Sequence, residues 1–144
     1  MTDVDQGVSL EELSRDECIR LLAARRVGRL AVAVPDAAPF VVPVNYLVDG
    51  EVVVFRSGGG SKLRALRGTP VAFQIDDIDP LRRTGWSVLI RGRAYESTRW
   101  ETEHLELDAW APGEKSHWVR VVPDAISGRR ITRGDGSVDL GGYL

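Results

Sequence analysis

The sequence predicts a mainly β fold with short helices, closed or partly closed into an antiparallel barrel. Three observations carry this reading. Short apolar and β-branched runs recur along the chain, Asp49-Gly50 supplies a hairpin signal between two of them, and helical spacing is confined to brief stretches. A βαβ nucleotide-binding unit is poorly supported, because no G-x-G-x-x-G joins a strand to a helix of proper length. The 144 residues read as one domain over 1–144, with an N-terminal extension (1–13) and a tail (134–144) expected to be partly irregular.

Taken in order, Ser14-Arg15-Asp16-Glu17 matches a capping box. Cys18, Leu21 and Leu22 then share one helical face, and Arg25 and Arg26 suit the negative end of the helix dipole, with Gly28 expected to end the helix. Leu30, Val32 and Val34 alternate as a strand. A turn at 35–39 leads into FVVPVNYLV (40–48), and EVVVFRS (51–57) returns across a type I′ turn at Asp49-Gly50. Leu63 and Leu66 mark a short helix stopped by Gly68. VAFQID (71–76), WSVLIRGRAYE (86–96), HWVRVV (117–122) and ISGRRITR (126–133) read as four further strands. Thr98–Leu107 reads as helical, with Trp100, His104 and Leu107 on one side.

Composition narrows the function classes. A net charge of -2 argues against nucleic acid as the main partner, since phosphate-backbone binding needs a basic excess. No run approaches a membrane span, and the acidic first segment is neither a secretory signal nor a transit peptide, so a cytoplasmic location is expected. Cys18, the only cysteine, excludes an intrachain disulfide and a Cys-rich zinc site, and reads as a small apolar residue on a helix.

Two clues point to chemistry. In F-R-S-G-G-G-S-K-L (55–63) a strand ends at Arg56, three glycines turn the chain, and Ser61 would cap a helix starting at Lys62. A Walker A loop needs Gly before the Lys and Ser or Thr after it; here Ser61 precedes and Leu63 follows, which excludes an NTPase. The hydroxyls of Ser57 and Ser61, the cations of Arg56 and Lys62 and a helix start nevertheless suit a terminal phosphate; a hairpin corner with exposed charges is the alternative. The second clue is V-V-P-V-N-Y (41–46). A proline inside a strand belongs at an edge or bulge, or where the backbone turns toward a planar ligand whose rim Asn45 could hydrogen-bond. Both clues lie on the arms of one predicted hairpin. Elsewhere the chemistry is thin: His104 among Glu101, Glu103 and Glu106 fits no standard metal-ligand pair, and His117 opens a strand with no identifiable partner. No catalytic dyad is visible, so a cofactor would carry any reaction.

The elements E-C-x-x-L-L (17–22), V-G-R-L-A (27–31), P-F-V-V-P-V-N-Y (39–46), F-R-S-x-x-x-S-K-L (55–63) and G-W-S-V-L-I-R-G-R-A (85–94) together resemble the pyridoxamine 5′-phosphate oxidase-related, FMN-binding split-barrel proteins. The resemblance implies an antiparallel, Greek-key type split β-barrel and a homodimer with FMN at each end of its interface. It places Val42, Pro43, Val44 and Asn45 along the isoalloxazine ring, and Phe55, Arg56, Ser57, Ser61 and Lys62 around the phosphate. Ser87 falls where the biosynthetic oxidase carries a flavin-contacting glutamine, and Arg129 where it carries a tryptophan. That oxidase's closing Arg-x-His motif is absent from GDGSVDLGGYL. The expectation is therefore an FMN-dependent oxidoreductase acting on a small-molecule acceptor, such as a flavin, nitro compound or quinone, and not the biosynthetic oxidase. Two alternatives stay open: a reductase using the deazaflavin F420, and a non-catalytic flavin-binding module.

Overall fold

The computed structural model describes residues 7–58, 67–107, 110 and 117–133. Among the described residues, seven strands and two helices follow in the order β1 (Val8–Glu12), α1 (Arg15–Ala23), β2 (Val27–Val32), β3 (Phe40–Asp49), β4 (Val52–Ser57), β5 (Arg67–Asp79), β6 (Thr84–Glu96), α2 (Arg99–Thr102) and β7 (His117–Arg133). Every strand pairing is antiparallel. Strands β2, β3 and β4 run as a meander, and β5 returns to lie beside β2, which is the Greek-key arrangement. β6 follows β5, and β7 fits between β6 and β4, closing six strands into a split β-barrel; β1 adds a seventh along the C-terminal part of β7.

Alternation decides which face is inside. Along β6, Trp86, Val88, Ile90 and Ala94 are buried while Arg91 and Arg93 face out. Leu30, Phe73, Ile75, Val53, Phe55, Val119 and Val121 complete the interior from the other strands, each at most 1% exposed. Fully burying a side chain of this size is worth roughly 1.5–3 kcal/mol, so this apolar cluster drives closure. Helix α1 adds Cys18, Leu21 and Leu22 to the same core. Ser14 caps it as expected, its hydroxyl accepting from the Glu17 N–H at 3.1 Å.

The structure revises several local readings. Helix α1 closes at Ala23, and Gly28 lies inside β2, where a Cβ would sit 2.2 Å from the tip of the Phe73 ring. Its glycine is set by packing, not by a helix end. The β3–β4 turn has Gly50 and Glu51 as its central pair, and only Gly50 has positive φ (+69°), the pattern of a II′ turn and not I′. HWVRVV and ISGRRITR are one 17-residue strand, β7, carrying a bulge where Gly92 pairs with Pro123 and Arg91 with Ala125. The expected 98–107 helix is a single turn, α2, held by reciprocal Thr98–Glu101 bonds, and Trp100 is 81% exposed. Within the N-terminal extension, residues 8–12 form β1. The expected helix after the glycines and the tail from Gly134 lie outside the described residues.

Candidate functional site

Strands β3 and β4 are paired from Asp49–Val52 up to Tyr46–Phe55, and there they part. Beyond that point Phe40–Asn45 pair with β2, while Arg56 and Ser57 pair with Trp118 and His117 of β7. Tyr46 anchors the parting. Its hydroxyl donates to the Leu22 carbonyl at 2.6 Å, its N–H donates to the Arg26 carbonyl at 3.1 Å, and its ring meets Phe73 edge-on at 4.9 Å. Burial pushes the Tyr46 phenol above its usual range, with Arg25 opposing, so it serves as a fixed donor and not as an acid. Pro43 falls where β3 has no β4 neighbour, so its missing N–H removes no bond on that side.

A cavity of about 850 Å³ opens beside the splay. Asn45–Val48 of β3, Arg56 of β4 and Trp118 of β7 form one wall; Arg25 and Arg26, after α1, form a second. Leu105, Glu106, Leu107 and Trp110, from the connection between α2 and β7, form the third. Arg56 is half-buried, lies 5.4 Å from the Trp118 ring centre and donates to the Leu107 carbonyl at 3.0 Å. Asn45 Oδ1 accepts from the Trp110 N–H at 2.7 Å. Arg25 is engaged below, donating to Asp77 at 2.9 Å and lying over the Trp86 ring at 5.2 Å. Nearby, Arg120 of β7 joins the end of β3 to α2, meeting Asp49 at 3.2 Å and Glu101 at 3.9 Å.

The residues expected along a ring and around a phosphate fall on the two sides of this parting. Val42, Val44 and Asn45 are half-buried and Pro43 is exposed, although of these only Asn45 lines the cavity. Arg56 lines it from the opposite arm, and Ser57 is 7% exposed beside it. Phe55 has its side chain wholly in the core, leaving only its backbone for a ligand. Ser61 and Lys62 lie outside the described residues. Ser87 and Arg129 pair with each other across β6 and β7 and line a separate cavity of about 700 Å³ with Glu12 and Gln74. They are not brought to Arg56.

Sequence reasoning missed Tyr46, Trp118, Leu107 and Trp110 as parts of the site. Tyr46 and Trp118 read as ordinary strand residues; Leu107 and Trp110 act through a carbonyl and an N–H, which leave no mark in a sequence. The reading of His117 as partnerless is corrected: its Nδ1 lies 2.8 Å from Glu96 Oε2, because Glu96 pairs with Val119, two residues along. His104 faces Asp49 at 3.8 Å and is exposed.

The comparisons with known proteins agree with this architecture. The chain is 38% identical over 131 residues to an uncharacterised protein of Mycobacterium tuberculosis, covering 83% of this chain and 84% of that one. The structure of an FAD-binding protein from Mycobacterium smegmatis superposes with a TM-score of 0.68 at 37% identity, over 83% of this chain and 96% of that chain. An FAD-binding protein from Mesorhizobium loti superposes with a TM-score of 0.67 at 28% identity, over 84% and 97%. A family model described as pyridoxamine 5′-phosphate oxidase matches residues 14–130, from the α1 cap to β7. With the split barrel and the parted β3–β4 arms, that match makes the chain a member of the pyridoxamine 5′-phosphate oxidase family.

Proposed function

We propose that this chain is a flavin-binding protein, and more finely an FMN-dependent oxidoreductase acting on a small-molecule acceptor. One observation carries the reading: Asn45 and Arg56 stand on opposite arms of the parted β3–β4 hairpin and line one cavity. The residues present fit a flavin phosphate. Arg56 offers a forked cation in a half-buried setting, and the nearly buried Ser57 lies beside it. They also fit a planar ring: the strand stretch Val42–Asn45 has no β4 neighbour and carries Pro43, which has no N–H of its own.

A bound flavin would supply hydride or electron transfer at its ring. The chain's part is to hold the phosphate at Arg56 and Ser57, lay Val42–Val44 along the ring, and set a hydrogen bond from Asn45. No side-chain nucleophile is required. FAD is the second reading, favoured by the two FAD-binding relatives, and F420 would use the same cation.

A homodimer belongs to the same proposal. Ser87 and Arg129 are expected near the flavin, yet Arg129 lies eleven residues beyond Trp118 on β7, about 36 Å of strand path at 3.3 Å per residue. A second copy could bring its Ser87 and Arg129 to this copy's Arg56. Leu10, Val41 and Ile131 are 60%, 62% and 39% exposed, apolar surface that such pairing would cover.

Mass measurement of pigment released from the purified protein, with FMN titration of the colourless form, tests the cofactor. FMN is expected, and recovery of FAD or F420 replaces it by that cofactor. Arg56→Ala should weaken FMN binding about ten- to a hundredfold, the loss of a charge-assisted bond. Unchanged affinity, or no flavin bound by the parent, removes the site. Sedimentation showing a monomer at micromolar concentration with saturating FMN removes the dimer.

A further inference from the structure

Leu107 and Trp110, between α2 and β7, line the cavity and touch the two side chains that matter most there. The Leu107 carbonyl accepts from Arg56, and the Trp110 N–H donates to Asn45. Burial of the indole does not hold them in place, since Trp110 is 69% exposed. Polar contacts at the start of the connection do: the Leu105 N–H donates to the Thr102 carbonyl at 2.9 Å, and the His104 ring lies 3.8 Å from Asp49.

The Trp110 contact has a chemical sense. A backbone N–H can only donate, so the Asn45 atom that meets it is the amide oxygen. The Asn45 amide is thereby fixed in one orientation, with its oxygen engaged. Its NH2 group has no acceptor among the described residues, and Asn45 lines the cavity.

We infer that Trp110 is a positioning residue of this site: through its main-chain N–H it sets Asn45 to present its NH2 group, so the site selects a ligand edge that carries a hydrogen-bond acceptor. This rests on the flavin reading for the identity of the ligand. On a flavin the selected edge is a ring carbonyl or ring-nitrogen acceptor, and not the N3–H.

Hydrogen exchange on the flavin-free protein tests the orientation alone. The Trp110 amide should be protected in the parent and in Asn45→Asp, which keeps an acceptor, and should exchange about tenfold faster in Asn45→Ala. FMN titration tests the donor: Asn45→Asp should bind at least about tenfold more weakly, having lost its N–H groups. Trp110→Phe keeps the main-chain N–H and should match the parent in affinity and in the absorption maximum of bound flavin. Trp110→Pro deletes that N–H and should shift the absorption maximum and weaken binding by about three- to tenfold. An unprotected Trp110 amide in the parent overturns the inference, as does parental FMN affinity in Asn45→Asp. A parent that protects the amide but binds no FMN overturns the flavin reading and leaves the orientation of Asn45 supported.

Discussion

Gly28 shows how a single residue can be read for the wrong reason. It stands after an apparent helix, where glycine often closes one, yet its backbone is ordinary strand and its role is to leave space for Phe73. The Phe73 ring is wholly buried and pinned edge-on against Tyr46, so it has little freedom to withdraw. Gly28→Ala should therefore destabilise by about 1–3 kcal/mol, the usual effect of overpacking, seen as a lower urea midpoint with unchanged slope. Asn45 and Arg56 were legible in the sequence because polar and cationic side chains beside a strand proline and a glycine run are chemically distinctive. Trp110 and Leu107 were not, because their bonds to Asn45 and Arg56 come from main-chain atoms, which every residue shares.

At the scale of elements, α1 is fastened to the barrel by charge as well as by its apolar face. Glu17 is held by Arg20, one turn on, and by Arg130 of β7 at 3.2 Å. The bond from Arg20 foremost, with Arg130 helping against partial desolvation, keeps the Glu17 carboxyl below its ordinary value. A lowered folded-state pKa means stability that is present at neutral pH and lost as pH falls through that lowered value. Glu17→Gln should thus lower the melting temperature at pH 7, and the difference from the parent should close as pH falls below the ordinary value of 4.5. Thermal melts of both proteins across that range measure it. The capping box that starts α1 was readable because it is local. The unity of β7 was hidden by Pro123-Asp124, which mimics a break but forms a bulge; the brevity of α2 was hidden by apolar spacing that copies a helical face without a core to pack on.

For the whole molecule, the period-2 patterning was enough to indicate an antiparallel barrel, and the resemblance supplied the Greek-key order. The closing pairings were beyond both, since register across distant strands depends on which faces meet in three dimensions. β7 carries most of that closure, pairing with β1, β4 and β6. The consequence reaches back to synthesis on the ribosome. Until residues 117–133 have left the exit tunnel, the edges of β4 and β6 have no neighbour and the emerging chain has no closed core. Stalled nascent chains ending before His117 should be cut rapidly by protease and bound by chaperones. Chains in which β7 is fully extruded should become resistant in a single step, and gradual protection with length would show that the first six strands close without it.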